Sequence, residues 1–397
     1  MRKLHILVAP DSFKGSLSSL QAAKCMENGI RKVYPDAIIQ IVPIADGGEG
    51  TVDALVTAAN GVYKTCHVTG PLGRPVKAVW GRLPDGTAVI ESAAASGLTL
   101  VPAEERDPLS ATTYGTGELM RAALDEGCRR IVLGIGGSAT TDGGAGMAQA
   151  LGLSLRDERG QEIGFGGGAL SAAVTLDRAG LDPRLGEIEI VAACDVRNPL
   201  TGEHGAAAVY GPQKGASARQ IEILDSGLRN LARLTEDACG TRFGDMPGAG
   251  AGGGLGFGLM AFCGARMRPG IDLILDTAGF DRTLEGCDLV LTGEGSLDAQ
   301  SAYGKAVAGV AARARRHGIP LLAVAGGLGE DLAPLYELGI SAAVSLVPRP
   351  MPLEEAIGNA APLLSDAVER AMRLFKTGMD KSRLLENGLD KTPEPLL

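Results

Sequence analysis

Short apolar runs alternate with amphipathic stretches along most of the chain. Residues 3–10 (KLHILVAP) form an apolar run of strand length. Residues 16–35 then place apolar side chains at helical spacing, with Ser16 or Ser18 as the predicted N-cap. Residues 37–46 (AIIQIVPIAD) predict a second strand, and a second helix follows it. Strands that alternate with helices are typical of a sheet covered by helices, so the pattern predicts an α/β fold.

The pattern changes in residues 61–92. Apolar and polar positions alternate there, and Gly-Pro, Gly-Arg-Pro and Pro-Asp-Gly turn signals interrupt them. This alternation predicts antiparallel hairpins, and we place a domain boundary near Gly70. From Cys287 onward the strand–helix pattern of the chain's beginning returns. The sequence therefore predicts a first domain that is interrupted by a second one.

Composition and charge narrow the class of protein. The chain has 397 residues, of which 58 are glycine and 4% are aromatic, which suits closely packed α/β layers. Its net charge of -9 and the lack of a basic stripe argue against a nucleic-acid binder, and an anionic substrate would need local cations or a metal. Seven dispersed cysteines are typical of a reducing compartment, and residues 246–265 are too rich in glycine for a membrane span. We expect a cytoplasmic protein that binds no membrane.

Candidate chemistry lies at the ends of the predicted strands, where open α/β sheets bind their ligands. A carboxylate or a pair of glycines follows each of six strands. The residues are Asp11, Ser12 and Lys14; Asp46, Gly47 and Gly48; Gly136, Gly137, Ser138, Thr140 and Asp142; Asp195 and Arg197; Gly293, Glu294 and Gly295; and Gly326 and Gly327. Each alone is an ordinary turn or cap residue, but the repetition predicts a site for phosphate groups and a divalent cation.

The densest of these segments is GIGGSATTDGGAG, residues 134–146. Glycines allow backbone N–H groups to surround an anion, and hydroxyl groups add donors. A helix that begins near Gly144 would direct its positive end to the same place. Asp142 fits a magnesium ligand, because Mg²⁺ takes one or two carboxylates and shares oxygens with phosphate. The alternative is a tight strand-to-helix turn that Asp142 caps.

Three other motifs give weaker evidence for a ligand site. Gly248, Gly250 and Gly253 match the GxGxxG pattern, but no clear strand precedes them, so we predict no dinucleotide site there. Lys305 lacks the upstream glycine and the following Ser or Thr of a P-loop, which argues against a Walker-type NTPase. Lys214, in the turn GPQKGA, is predicted to be a solvated lysine.

Six longer motifs together resemble the bacterial glycerate kinase family, of the kind that phosphorylates the 2-hydroxyl of D-glycerate. They are APDSFKGSLSS (9–19), IADGGEGT (44–51), GIGGSATTDGGAGMAQALG (134–152), ACDVRNPLTGEHGAAAVYGPQKGA (193–216), GAGAGGGLGFG (248–258) and LTGEGSLDAQSAYGKAV (291–307). The motifs are long and specific, and the resemblance extends from the start of the chain to about Phe375.

The resemblance implies two α/β domains with the active site in the cleft between them. A Rossmann-like domain would comprise residues 1–70 and 285–375, an inserted α/β domain residues 71–284, and a polar tail residues 376–397. It also implies an enzyme that uses ATP and Mg²⁺ to convert D-glycerate to 2-phosphoglycerate.

Roles for the candidate residues follow from that reaction. Asp195 or Asp46 would orient the hydroxyl group, and Lys14 or Arg197 would hold the substrate carboxylate. The full assignment is Asp195, Asp46 and Lys14 as catalytic; Asp11, Ser12 and Arg197 as substrate-binding; Gly136, Gly137, Ser138, Thr140, Gly293 and Gly295 as nucleotide-binding; and Asp142 and Glu294 as metal ligands. The division of roles among the aspartates stays open.

Two other functions stay open as well. One is a glycerate kinase that forms the 3-phosphate. The other is a non-catalytic sensor of a sugar acid or a nucleotide on the same scaffold, which would need the cleft but not the acidic residues. The presence of Asp11, Asp46, Asp142, Asp195 and Glu294 argues against the sensor. A homo-oligomer is compatible with all of these functions.

Overall fold

The computed structural model describes residues 3–302 and 306–386. The chain folds into two compact units, and the predicted α/β class is confirmed. Unit 1 contains the described residues up to Pro43 and from Phe280 onward, and unit 2 is Ile44–Gly279.

The described residues form thirteen strands. They are β1 (His5–Val8), β2 (Ile38–Ile41), β3 (Val62–Thr69), β4 (Pro75–Arg82), β5 (Thr87–Glu91), β6 (Arg130–Gly134), β7 (Ser154–Arg156), β8 (Thr175–Asp177), β9 (Glu189–Ala193), β10 (Arg266–Arg268), β11 (Leu289–Leu297), β12 (Leu321–Leu328) and β13 (Ala342–Ser345).

Helices connect most of these strands. They are α1 (Ser19–Arg31), α2 (Thr51–Ala59), α3 (Ala93–Ser96), α4 (Tyr114–Asp125), α5 (Ala145–Ala150), α6 (Ala206–Tyr210), α7 (Ala218–Cys239), α8 (Ala251–Cys263), α9 (Gly270–Thr277), α10 (Phe280–Leu284), α11 (Ala306–Arg316), α12 (Ala333–Leu338), α13 (Leu353–Gly358) and α14 (Ala360–Glu386). No helix in the described residues is both long and apolar enough to cross a bilayer.

Unit 1 is built on a parallel sheet with the strand order β13-β12-β11-β1-β2. Buried side chains of β1, α1 and α14 pack together, for example Ile6, Met26 and Val368. The helix α1 begins after Ser18, whose hydroxyl accepts a hydrogen bond from the Gln21 N–H while the Gln21 side chain accepts one from the Ser18 N–H. Ser18 is therefore the cap, and this reciprocal pair fixes where the chain turns from loop to helix.

Unit 2 contains a mixed six-stranded sheet with the order β10-β9-β6-β5-β4-β3. The strands β3, β4 and β5 pair antiparallel, which confirms the hairpins predicted for residues 61–92. The pairs β5–β6, β6–β9 and β9–β10 are parallel. The carboxyl ends of β6 and β9 therefore lie side by side at one edge of the sheet, where Gly134 pairs with Ala193.

The limits of the two units differ from the boundaries at Gly70 and Leu284 that we predicted. The helix α2 packs on β4 and β5, with Val52 and Val56 against Gly81, so it belongs to unit 2. The first limit therefore lies at Pro43, where the chain leaves the sheet of unit 1, and unit 1 resumes at Phe280.

The C-terminal segment also differs from the prediction. The helix α14 continues to Glu386, past residue 376, where we expected a polar tail to begin. Between residues 376 and 386 the sequence contains no proline that would end the helix. The rest of the predicted tail, 387–397, and the motif at Lys305 lie outside the described residues.

Candidate active site

Unit 2 carries a pocket with a volume of about 420 Å³ at the edge where β6 and β9 end. The loops that follow these two strands form much of its wall. The lining residues are 46–48, 135–138, 193–196, 213–214 and 251–252, together with Leu98 and Tyr210. The pocket thus lies beyond the carboxyl ends of neighbouring parallel strands, as expected for a ligand site in an α/β sheet.

Residues Gly136, Gly137 and Ser138, which we call the 136–138 loop, line this pocket. Gly137 has a left-handed conformation, with φ of +72°. The Leu98 N–H donates to the Gly137 carbonyl at 2.8 Å, and the Ala139 N–H donates to the Ser96 carbonyl at 2.8 Å. Within residues 3–302 and 306–386, the N–H groups of the loop itself have no hydrogen-bond acceptor. Consecutive N–H groups around a left-handed residue form a nest that suits an anion.

Lys214 lies behind this loop and is only 3% exposed, so the prediction of a solvated turn lysine is wrong. Its Nζ donates hydrogen bonds to Ser138 Oγ at 3.0 Å and to the Thr140 carbonyl at 2.5 Å. Burial lowers the pKa of Lys214 to about 7, although the negative charge of Asp142 opposes this shift. A buried ammonium group is costly unless it is paired, so the site favours either a neutral amine or an additional anion nearby.

Asp142 has a different environment from the one expected of a metal ligand. It is fully buried, and it does not line the pocket. Its Oδ2 accepts hydrogen bonds from the Thr113 N–H and hydroxyl, both at 2.8 Å, and from the Gly146 N–H at 3.2 Å. Its Oδ1 accepts one from the Gly144 N–H at 3.1 Å.

These contacts favour the turn-cap alternative for Asp142 over its assignment as a metal ligand, which stays a prediction. Four protein donors hold its carboxylate at the beginning of α5, which is the turn-cap alternative. Burial raises the pKa of Asp142, and these hydrogen bonds oppose that shift. Asp142 therefore holds the glycine-rich turn together from inside the protein.

Asp46 and Asp195 are the two carboxylates that line the pocket. The Gly270 N–H donates to Asp195 Oδ1 at 2.8 Å, and the Gly48 N–H donates to Asp46 Oδ1 at 3.2 Å. Burial by the surrounding protein, then the negative charges of Asp46 and Asp272, raise the pKa of Asp195. The pocket therefore places an oxyanion nest and a pair of acidic groups within one concave surface.

Gly270 shows how closely these acidic residues are packed. A Cβ atom at this position would lie 1.9 Å from the Asp46 carbonyl oxygen and 3.0 Å from Asp195 Oδ2. Only glycine permits this approach, because a side chain there would displace both carboxylate residues.

Six other predicted residues lie at the carboxyl edge of the unit 1 sheet. The Asp11 N–H donates to the Gly293 carbonyl at 2.9 Å, and the Ser12 N–H donates to Asp11 Oδ1 at 2.6 Å. Lys14 is exposed at the tip of a tight turn in which Phe13 and Leu17 pair. The structure thus brings Asp11, Ser12, Lys14 and the β11 residues Gly293, Glu294 and Gly295 to one edge.

Two further predicted residues do not line the pocket. Arg197 is exposed and lies one residue beyond the lining segment 193–196, and Thr140 is buried beneath the 136–138 loop. The described residues contain no group of three or more His, Cys, Asp or Glu side chains that could hold a metal ion.

The sequence analysis missed several lining residues. Lys214 ends a short 3-10 turn, Pro212–Lys214, between two closely packed glycines, Gly211 and Gly215. These flanking glycines were the available signal that the turn is packed rather than free. Gly252 belongs to the glycine run that we rejected as a dinucleotide motif, and Gly252, Gly253 and Gly254 all have left-handed φ values. Tyr210 lines the pocket and donates to Asn198 Oδ1 at 2.8 Å.

Residues 6–376 match the model of the glycerate kinase family. The chain belongs to this family. It is 50% identical over 378 residues to the glycerate kinase of Bacillus subtilis (strain 168), covering 94% of this chain and 99% of that one. It is 49% identical over 358 residues to the glycerate 2-kinase of Escherichia coli (strain K12), covering 90% of this chain and 94% of that one.

A solved structure supports the same conclusion. A crystal structure described as glycerate kinase 2 from Salmonella typhimurium LT2 is 46% identical, with a TM-score of 0.87, and the match covers 96% of this chain and all of that one. The resemblance stated from the sequence motifs is confirmed, and the protein is a kinase. Both the pocket of unit 2 and the edge residues of unit 1 lie within the part of the chain that the family covers.

The buried position of Asp142 generates a prediction about stability. Asp142→Asn replaces one carboxylate oxygen by an NH₂ group that faces N–H donors, so buried donors lose their acceptor. We expect a loss of roughly 1–3 kcal/mol in the free energy of unfolding, measured by chemical denaturation.

Asp157→Asn is the matched control, because Asp157 Oδ1 likewise accepts backbone N–H groups, those of Arg159 and Gln161, but Asp157 is only partly buried. It should change stability much less. An Asp142→Asn variant with the stability of the wild type and a lost kcat would instead support the metal-ligand role.

Proposed function

We propose that this kinase transfers a phosphoryl group from ATP to the 2-hydroxyl of D-glycerate, with Mg²⁺, and forms 2-phosphoglycerate and ADP. The observation that carries the proposal is the pocket of unit 2, which combines the N–H groups of the 136–138 loop with the carboxylates of Asp46 and Asp195. The name of the Escherichia coli relative, glycerate 2-kinase, favours the 2-hydroxyl as the acceptor.

Phosphoryl transfer depends mainly on positioning and charge stabilisation. In our proposal the 136–138 loop binds phosphate oxygens of the donor, since it lines the pocket and its N–H groups have no protein acceptor among the described residues. Such fixed donors stabilise negative charge without having to reorganise during the reaction.

Asp195 is our candidate for the group that accepts the proton of the glycerate hydroxyl. Its Oδ1 is held by the Gly270 N–H, whereas its Oδ2 accepts no hydrogen bond from the described residues. The raised pKa of Asp195 brings it closer to neutral pH, which improves a general base.

Asp46 is our candidate for a ligand of Mg²⁺. Mg²⁺ commonly takes only one or two carboxylates from the protein and completes its coordination shell with water and phosphate oxygens. The carboxylate of Asp46 therefore fits such a site, although the described residues contain no cluster of three or more ligating side chains. When bound, Mg²⁺ would neutralise negative charge on the phosphate oxygens. Glu294, on β11, remains a predicted ligand.

The acidic pair provides the test of this proposal. Asp195→Asn should lower kcat by at least about a hundredfold, because the amide can neither accept the proton nor supply the charge. Wild-type protein incubated with ATP, Mg²⁺ and D-glycerate should give 2-phosphoglycerate, identified by phosphorus NMR.

Asp177→Asn serves as the control, because Asp177 is an exposed carboxylate that accepts a hydrogen bond only from the Ala179 N–H in the described residues. Its kcat should equal that of the wild type. A signal for the 3-phosphate would refute the assigned hydroxyl, and an Asp195→Asn variant with normal kcat would refute the assigned base.

A second prediction concerns Lys14 in unit 1. We propose that its ammonium group binds the carboxylate of D-glycerate, beside Ser12 in the turn that precedes α1. Lys14→Ala should raise the KM for D-glycerate about tenfold or more, equivalent to about 1.4 kcal/mol, with a much smaller change in the KM for ATP.

Lys24→Ala, which removes an exposed lysine from α1, is the control and should leave both constants unchanged. If Lys14→Ala raises only the KM for ATP, then Lys14 acts on the nucleotide and its assignment to D-glycerate is wrong.

A further inference from the structure

Lys214 is a buried ionisable side chain for which the candidate mechanism has no role so far. Lysine side chains are rarely buried without a charged partner, because an ammonium group loses its hydration. Its two described hydrogen-bond acceptors, Ser138 Oγ and the Thr140 carbonyl, are both neutral. Some other feature of the site must therefore compensate for the hydration that the ammonium group of Lys214 loses on burial.

Those two acceptors lie in the chain segment that forms the anion nest. Ser138 is the last residue of the 136–138 loop, and Thr140 follows it by two residues. By donating to both, Lys214 Nζ ties the end of the loop to the buried layer beneath it. The space around Nζ is small, since a Cβ on Gly253 would come within 2.8 Å of it. Lys214 also lines the pocket.

We propose that Lys214 is a positioning residue that holds the 136–138 loop and supplies the positive charge that neutralises an oxyanion bound to it. The identity of this oxyanion, a donor phosphate group or the carboxylate of D-glycerate, rests on the proposed function. The role of Lys214 in holding the loop is independent of the proposed function.

The charged groups around Lys214 determine how it responds to a ligand. Asp142 faces it from the buried side, and the pocket lining contains the ionisable side chains of Asp46, Cys194, Asp195 and Tyr210. On the far side, Arg106 packs against Gly215, the residue after Lys214. Because the pKa of Lys214 is about 7, the amine is mostly neutral at pH 8.

An oxyanion next to Lys214 favours the charged ammonium and raises its pKa. Binding at pH 8 should therefore take up as much as one proton, by the linkage between ligand and proton. At pH 6 the amine is already protonated in the free protein, so the uptake that Lys214 contributes should fall towards zero.

Isothermal titration calorimetry of the wild-type protein, in buffers with different ionisation enthalpies, measures this uptake directly. ADP with Mg²⁺ and D-glycerate are titrated separately at pH 8 and pH 6. Proton uptake with ADP would place a phosphate group on the loop, and uptake with D-glycerate would place the carboxylate there. Either result supports the proposal for Lys214.

The variant Lys214→Met keeps the length of the side chain and removes its charge. It should abolish the proton uptake at pH 8, and it should raise the KM of the ligand that showed the uptake by about tenfold or more, with a smaller effect on the other KM. Lys77→Met, at an exposed position of β4, is the matched control and should behave as the wild type.

The measurement on the wild type decides the proposal even if Lys214→Met fails to fold. Binding of ADP and D-glycerate without proton uptake at pH 8, or no binding of either, would overturn it. Proton uptake by a protein that forms no phosphoglycerate would instead leave the role of Lys214 intact and refute the proposed function.

Discussion

The pocket of unit 2 depends on two ionisable side chains that are buried behind a glycine-rich turn. Asp142 accepts four hydrogen bonds and fixes the turn at the start of α5, and Lys214 donates to Ser138 and Thr140 in the preceding segment. The two groups also attract each other electrostatically. Together they hold a backbone that glycine alone would leave free, since glycine loses more conformational entropy on folding than any other residue.

The position of this turn follows from the topology of the sheet. The strands β6 and β9 are parallel neighbours, so the loops that leave them must meet at one edge. Asp195 follows β9 in the chain, and the 136–138 loop follows β6. Residues far apart in the chain thus become neighbours through backbone pairing, and the acidic group and the nest lie in one pocket without any special feature of the loops themselves.

The fold was largely predictable because its signals are local. Alternation in residues 61–92 predicts the hairpins, and a cap at Ser16 or Ser18 predicts the start of α1, since each pattern involves residues that are close in sequence. The limit of unit 1 at Pro43 was not predictable in this way. It depends on α2 packing against β4 and β5, which is a tertiary contact that periodicity does not encode.

The candidate site was likewise predictable only in part. Strand ends identified Asp195 and the 136–138 loop, because a parallel sheet collects such residues at one edge. Asp46 also follows a predicted strand, but that strand, β2, belongs to the sheet of unit 1, so strand pairing does not explain its place in this pocket. An aspartate after a glycine turn suits both a metal ligand and a cap, so only the donors around Asp142 distinguish the two. Lys214 resembled a surface lysine because its burial comes from Thr140 and Gly253, which are distant in sequence.

The central claim is that the 136–138 loop binds an oxyanion of the reactants. A crystal structure with D-glycerate, Mg²⁺ and a non-hydrolysable ATP analogue tests it most directly. We expect a phosphate or carboxylate oxygen within hydrogen-bonding distance of the N–H groups of Gly137 and Ser138, with Lys214 still hydrogen-bonded to Ser138. Both ligands bound with their oxyanions away from these N–H groups would contradict it.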